Sequence, residues 1–148
     1  TYSFRSSLYG GMGYGMFHPC GYGSAPIFPE ENYPIEWHRQ MLEQYQFTKP
    51  LFSGDFYIYT DCGSETDCWC SYGFDRSDLN RGCLFAFRRQ DCSEDTLKLH
   101  LNLPEGEYVF RNYDTEEERS IAIPTDGVDF IVSAPDKPYA VAWYYTKI

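Results

Sequence analysis

Residues 96–103 read TLKLHLNL and run directly into the turn sequence PEG at residues 104–106. The four leucines occupy alternate positions, so they share one face of a β-strand, while Lys98, His100 and Asn102 share the other face. A strand of this kind has one face in a core and one face in water. We therefore interpret His100 as a solvated surface residue and not as a catalytic group.

The same alternation continues on both sides of this strand. Seven further segments read as short strands, and they are separated by turn sequences such as TDG at residues 125–127. The predicted segments are 52–60, 68–74, 83–89, 107–113, 119–123, 128–132 and 140–148. About seven to eight short strands at near-regular spacing predict a mainly β domain over residues 52–148, an antiparallel two-layer β-sandwich.

The first 51 residues follow a different pattern. Residues 1–9 alternate and predict a strand, which a glycine-rich loop at residues 10–15 follows. Residues 32–48 predict one amphipathic helix, because Asn32 is able to cap it and Pro34 suits its first turn. The apolar stripe of this helix comprises Ile35, His38, Met41, Leu42 and Tyr45. Residues 1–51 therefore form a predicted strand-loop-helix unit that precedes the sandwich.

The net charge and the hydropathy of the chain limit the classes of binding partner to be expected. The formal net charge is -10, so nucleic acid and anionic membrane surfaces would repel the chain. No run approaches the roughly 18 apolar residues that a membrane helix needs. The glycine-rich loop lacks the Gly-Lys-Ser/Thr sequence of a phosphate-binding loop. We expect no nucleic-acid partner, no membrane partner and no cofactor.

The six cysteines are an even number in a chain of modest length. That count favours an oxidising compartment, so we expect a secreted or extracellular protein with disulfides. A zinc site is not predicted, because Cys68 and Cys70 lack the Cys-x-x-Cys spacing and the histidines are scattered. The sequence leaves the pairing open among Cys20, Cys62, Cys68, Cys70, Cys83 and Cys92.

Six short sequence motifs follow one another along the chain. They are YSFRSS at residues 2–7, GDFY at 54–57, DCWCSYGFDR at 67–76, GCLFAFRR at 82–89, LPEGEY at 103–108 and YDT at 113–115. Together they resemble the C-terminal region of α-galactosidase-like enzymes, the melibiase clan of glycoside hydrolases. The resemblance covers nearly the whole chain. It implies that residues 1–51 are the last β/α unit of a TIM barrel and that residues 52–148 are the β-sandwich that follows.

The resemblance also carries expectations about chemistry. A parent enzyme would be a retaining α-galactosidase with two catalytic carboxyl groups about 5 Å apart. In the family those groups precede the Tyr-x-Phe-Arg-Ser strand, so they fall outside this chain. Barrel sites lie at the carboxyl ends of strands, which makes Arg5, Ser6, Gly11 and Gly13 the predicted substrate-binding residues. The family has apolar residues where this chain has Cys68, Cys70 and Cys83. On an antiparallel pair of strands, Cys68 or Cys70 could face Cys83 closely enough to bridge.

Three functions remain open at this point. The chain could be a non-catalytic region that supports a glycosidase barrel, with the rest of that barrel as its partner. It could be a secreted, self-assembling structural module of filament type, with copies of itself as partners. It could also be a carbohydrate-binding module that stacks sugars on Tyr14, Tyr22, Trp37 or Trp69.

Carboxylates of this chain are not assigned to catalysis. Asp55, Asp61, Asp67 and Asp75 lie near the aromatic strands. Hydrogen bonding within turns explains them better than acid/base chemistry. We therefore predict no catalytic residue in this chain.

Overall fold

A computed structural model describes residues 1–8 and 33–148 of the 148-residue chain. The described helices are α1 (Tyr2–Ser6) and α2 (Ile35–Thr48), and a 3₁₀ turn at Lys49–Ser53 continues α2. The strands are β1 (Asp55–Ile58), β2 (Trp69–Arg76), β3 (Arg81–Arg88), β4 (Thr96–Leu101), β5 (Gly106–Asn112), β6 (Glu118–Ile123), β7 (Val128–Ser133) and β8 (Tyr139–Lys147). Among these residues no helix is long and apolar enough to cross a membrane.

All eight predicted strands are present, and the mainly β antiparallel fold is confirmed. Six strands form one antiparallel sheet in the order β1-β2-β3-β8-β5-β6, and β4 pairs with β7 in a separate two-stranded ribbon. A short 3₁₀ turn at Ser77–Leu79 connects β2 to β3. The ribbon and the six-stranded sheet are the two β layers that the sequence predicts.

The ribbon packs on one face of the six-stranded sheet. Leu99 and Leu101 of β4 are buried together with Phe110 of β5 and Trp143 of β8. The predicted leucine face of residues 97–103 therefore points into the core between the two β layers. His100 lies on the opposite face, exposed, with Nδ1 3.2 Å from Oδ1 of Asp129, so its interpretation as a surface residue is confirmed.

The helices cover the other face of the sheet. Phe85 of β3 and Ala142 of β8 are fully buried there, and Leu51 of the 3₁₀ turn packs in the same cluster. Because β3 and β8 are covered on both faces, their sequences are almost continuously apolar and do not alternate. The described part of residues 1–51 thus shares a core with the sheet, and the boundary at residue 51 stays a prediction.

The strand predicted at residues 1–9 is wrong over the described residues, because Tyr2–Ser6 is a helix. The Arg5 amide donates to the Thr1 carbonyl oxygen at 2.9 Å. Helical spacing turns Tyr2 and Arg5 towards the sheet, where the Tyr2 ring meets Phe87 with centroids 5.6 Å apart. A segment this short has a weak intrinsic preference, so packing decided its conformation.

The helix predicted at residues 32–48 is confirmed from Ile35 onward. Pro34 occupies the N-cap position, whereas the predicted cap Asn32 lies outside the described residues. The stripe holds for Met41, which is buried, but fails for Ile35, which is 59% exposed. Polar Gln44 and Thr48 are buried instead, because Arg5 of α1 and Tyr144 of β8 respectively offer them hydrogen-bond partners.

Gly82 of β3 allows the closest packing against β8. A Cβ atom at this position would lie 2.2 Å from the hydroxyl of Tyr145 and 2.4 Å from the carbonyl oxygen of Phe74. We expect Gly82→Ala to lower the free energy of unfolding by about 1–3 kcal/mol, since backbone and buried ring must both shift. Urea unfolding checks this, with Gly63→Ala as the control because its Cβ meets only the flexible carboxylate of Glu65. Equal midpoints for the two variants would contradict the packing described.

Candidate functional site

Arg5 is fully buried and ties three parts of the chain together. Its Nε donates to Oε1 of Gln44 at 3.1 Å, and two of its nitrogens reach the carboxylate of Asp114 at 2.8 and 2.5 Å. The same guanidinium donates to the carbonyl oxygen of Ala140 at 2.6 Å, and the hydroxyl of Tyr72 donates to the backbone oxygen of Arg5 at 2.8 Å. Helices α1 and α2, the β5–β6 turn and β8 are all joined at this one side chain.

This geometry gives Arg5 an internal role, because each guanidinium nitrogen already has a protein partner. Its predicted contact with a sugar stays a prediction that no described contact supports. Ser6 is exposed, and its hydroxyl donates to the backbone oxygen of Ser3 at 2.9 Å. Gly11 and Gly13 lie outside the described residues, as do Tyr14 and Tyr22.

Sequence reasoning singled out Arg5 and Asp114 in separate motifs but did not predict that they meet. They are 109 positions apart. The sequence signal that could have indicated this pair was the ordered set of motifs, in which YSFRSS supplies the arginine and the YDT turn supplies the carboxylate. A buried arginine needs an acceptor of this kind.

A cleft of about 360 Å³ opens between α1 and the edge strand β1. Its wall includes the aromatic residues Tyr2, Phe56, Tyr72 and Phe87, and its polar groups include Arg89. Ser6 also lines it. An aromatic wall next to a guanidinium is suited to contacts with a polar ligand or with a neighbouring protein segment.

The proposed stacking tryptophans do not lie in this cleft. Trp69 is buried, and its indole N–H donates to the carbonyl oxygen of Glu94 at 2.9 Å. Trp37 is partly exposed on α2, with its ring centroid 6.5 Å from that of Phe4. The interpretation of Trp69 as a sugar-stacking surface is therefore wrong, since both faces of its ring are in the core.

The carboxylates near the aromatic strands are engaged in structure or exposed. Asp75 is 4% exposed and accepts hydrogen bonds from the hydroxyl of Tyr145 at 2.8 Å and of Ser77 at 3.0 Å. Asp55 is exposed and lies opposite Asp75 in the β1–β2 register, while Asp61 and Asp67 are exposed in the β1–β2 connection. The bond from Ser77, two residues along, agrees with the predicted turn role of Asp75.

Burial raises the pKa of Tyr59, Tyr144 and Tyr145, and two of these phenols, Tyr59 and Tyr145, interact with the Asp75 carboxylate. The native protein therefore keeps protons that the unfolded chain loses above about pH 10. Their contribution to stability is fully present below that pH and is lost as the pH rises further.

We accordingly expect the urea unfolding midpoint to fall steadily above about pH 10. Tyr59→Phe removes one of the three phenols, so its decline should be shallower than that of the wild type. Midpoints measured from neutral pH to about pH 11 check this. A wild-type midpoint independent of pH over that range would show that these phenols ionise freely in the native state.

The five described cysteines are present as thiols. Cys83 lies opposite Phe74, and Cys70 lies opposite Phe87, so Cys70 and Cys83 are about 13 Å apart along the strands. The expected pairing of Cys68 or Cys70 with Cys83 is therefore wrong, because a disulfide requires Cα atoms within about 7 Å. The predicted β2–β3 pairing is correct, but its register places Cys83 opposite Phe74, four residues from Cys70 and six from Cys68.

The five described thiols lie in three places. Cys83 is buried on the helix side of the sheet, whereas Cys92 is buried on the ribbon side. Cys62, Cys68 and Cys70 form a cluster near Arg89. Cys20 lies outside the described residues. Within residues 1–8 and 33–148 no group of three or more His, Cys, Asp or Glu side chains is arranged to hold a metal ion.

Of the comparisons with known proteins, the one with solved structures gives a match and the other two do not. No protein-family model matches the chain, and no curated protein matches it. Among solved structures, the chain is similar to the galactosidase domain of the α-galactosidase-sucrose kinase AgaSK, with a TM-score of 0.55 and 10% sequence identity. The match covers 82% of this chain and 17% of that one. The likeness to an α-galactosidase-like protein that the motifs predict is therefore confirmed at the level of the fold.

Proposed function

We propose that this chain is the non-catalytic C-terminal region of an α-galactosidase-like glycoside hydrolase. Its role is to support a catalytic barrel whose strands lie outside the described residues of this chain. The observation that carries the proposal is the fold match to a galactosidase domain over 82% of the chain. The order of the sequence motifs supports it independently.

The contacts that hold the N-terminal unit on the sandwich agree with a structural role for this chain. If residues 1–51 are the last unit of a barrel, Arg5 and Asp114 fix that unit to the sandwich through a buried ion pair at 2.5 Å. Helix α2 adds contacts to β8, since the Thr48 and Tyr144 hydroxyls are 2.6 Å apart and the Phe47 and Tyr144 ring centroids 4.7 Å apart. A barrel continuous with this unit would therefore be held in one orientation on the sandwich.

Exposed apolar side chains on the helix side of the sheet support the same partner. Ile35 and Phe47 of α2 are 59% and 50% exposed, and Ile58 of the edge strand β1 is 68% exposed. Ile58 lies opposite Tyr72 in the register, which places it on the face that the helices cover. Covering these side chains with the rest of a barrel would remove apolar surface from water.

A non-catalytic role agrees with the carboxylates of the described residues. Retaining glycosidases need two carboxyl groups about 5 Å apart that face the sugar. Asp75 is buried, with both of its oxygens bonded to hydroxyl groups, which leaves it no access to a substrate. The self-assembly and carbohydrate-binding alternatives have no comparable observation in their favour. Secretion stays a prediction.

Two measurements test this proposal. The coding sequence upstream of Thr1 should encode a barrel with two convergent carboxylates, and the 148-residue chain alone should not hydrolyse p-nitrophenyl α-galactoside. The full-length gene product should hydrolyse it. An upstream region that encodes no barrel, or turnover by the 148-residue chain itself, would overturn the proposal.

A further inference from the structure

We propose that Cys62 and Cys70 form a reversible disulfide, with Cys68 as the thiol that exchanges with Cys70. This inference is independent of the proposed function, because it rests only on the hairpin that joins β1 to β2. It names a covalent modification site and the class of reactant that acts there, a low-molecular-weight disulfide.

The connection at the end of the β1–β2 hairpin brings the three cysteines together. The β1–β2 register pairs Ile58 with Tyr72, and the Tyr59 amide donates to the Ser71 carbonyl oxygen at 3.0 Å. Beyond this point the chain leaves the β-ladder, and Cys62 and Cys70 both line the cleft beside β1, whereas Cys68 does not. The Cys62 side chain interacts with those of both Cys68 and Cys70.

The backbone between the thiols is held in place by side chains. Oγ1 of Thr60 accepts from the Ser71 amide at 2.8 Å, and Nη1 of Arg89 donates to the carbonyl oxygens of Gly63, at 2.9 Å, and of Glu65. Thr66 donates to the carboxylate of Asp91 at 2.6 Å. The connection therefore presents Cys62 to Cys70 in the reduced state, so little chain entropy remains to be lost on bridging.

Arg89 is the cation of the cluster: its guanidinium interacts electrostatically with all three sulfurs. Burial raises the pKa of Cys68 and of Cys70, and the positive charge of Arg89 opposes that rise at both thiols. Burial, and next the hydrogen bond with Cys62, raises the pKa of Cys70 to about 11. Cys70 is thus a poor first nucleophile at neutral pH. Cys62 contacts both other thiols and is the group that we assign to the first attack.

The reaction balances with glutathione disulfide as the oxidant. The Cys62 thiolate attacks one sulfur of glutathione disulfide, which forms a mixed disulfide and releases one glutathione thiolate. The Cys70 thiolate then attacks the Cys62 sulfur and releases the second glutathione thiolate. Two protein thiols lose two protons and two electrons, and the oxidant becomes two molecules of glutathione. Attack of Cys68 on Cys62 would move the bridge and return Cys70 to a thiol.

The other described cysteines are in the wrong place to compete. Cys83 and Cys92 are buried in cores on opposite sides of the sheet, and Cys83 is about 13 Å from Cys70 along the strands. The bridge would instead join the segment after the edge strand β1 to β2. That tie restrains the sheet edge that carries Ile58.

Peptide mapping tests the inference on the 148-residue chain. The protein is equilibrated in glutathione buffers, alkylated with N-ethylmaleimide, and cleaved after Glu65 by Glu-C protease and after Trp69 by chymotrypsin, so that each of the three cysteines lies on its own peptide. We expect the Cys62–Cys70 link as the main product and Cys62–Cys68 as the minor one. The link should form at about a tenfold lower ratio of oxidised to reduced glutathione than in the urea-unfolded chain.

Three variants separate the roles of the thiols. Cys68→Ser should keep the Cys62–Cys70 link, Cys70→Ser should convert it wholly to Cys62–Cys68, and Cys62→Ser should abolish both. Circular dichroism confirms that each variant is folded, and urea unfolding of the oxidised and reduced wild type gives a second readout, with the oxidised form more stable. A main link from Cys62 to Cys20, or thiols no easier to oxidise in the folded chain than in the unfolded one, would overturn the inference.

Discussion

We expect Arg5→Ala to lower the free energy of unfolding by about 3 kcal/mol, because it removes the four hydrogen bonds that the guanidinium makes to Gln44, Asp114 and Ala140. The change leaves the Asp114 carboxylate, 28% exposed, and the buried Ala140 carbonyl oxygen without their donor. Breaking a buried ion pair by removing one partner costs far more than the pair contributes as a whole. Urea unfolding followed by circular dichroism measures the loss.

Two variants control this prediction. Arg39→Ala also removes an arginine from an ion pair, but Arg39 and Glu36 are both largely exposed, so stability should be unchanged within error. Adding Asp114→Ala to Arg5→Ala should restore part of the loss, because the unpaired carboxylate is then gone. Equal effects of Arg5→Ala and Arg39→Ala would show that the junction does not hold the helices on the sheet.

Phe85→Ala is expected to cost about 4 kcal/mol. Phe85 is fully buried on the central strand β3, and its ring lies 5.5 Å from that of Tyr72 and 6.2 Å from that of Tyr144, centroid to centroid. Truncation leaves a cavity between the sheet and the helices, where rigid aromatic neighbours limit collapse. Ile131→Ala on β7 is the control, because Ile131 is 54% exposed. Losses of similar size at the two positions would contradict a core on the helix side of the sheet.

The strands were predictable because the period-two pattern and the turn sequences agree along residues 52–148. Alternation is clearest at residues 96–103, where one face is wet. It is masked at β3 and β8, which are buried on both faces, and there the short apolar runs bounded by turns still indicated strands. The register of β2 on β3 was not predictable, since apolar residues occur on both faces of each strand. For this reason the placement of Cys83 opposite Cys68 or Cys70 was wrong.

The helical part was less predictable because its burial depends on polar partners. Gln44 and Thr48 are polar and lie outside the predicted apolar stripe, but they bind Arg5 and Tyr144 in the folded protein. Residues 1–8 are too short for any period to distinguish strand from helix. The tertiary contacts of Tyr2 and Arg5 decide between strand and helix in this segment.

The candidate sites divide in the same way. Cys62, Cys68 and Cys70 occur within nine residues at the end of one hairpin, so the sequence contained the information that they are neighbours, although only Cys70 of the three lies in a strand. The Arg5–Asp114 pair required a contact across 109 positions, which no local pattern encodes. The cleft beside β1 follows from the packing of α1, whose conformation the sequence pattern did not predict.

A deletion in the full-length gene product tests the supporting role most directly. Activity on p-nitrophenyl α-galactoside and soluble yield are compared for the complete product and for the same product ending at residue 51, which keeps the last predicted barrel unit and lacks the sandwich. We predict that the shortened product is insoluble or inactive, because Arg5 and α2 lose Asp114, Ala140 and Tyr144. A soluble barrel with full activity and unchanged thermal stability after this deletion would contradict the account.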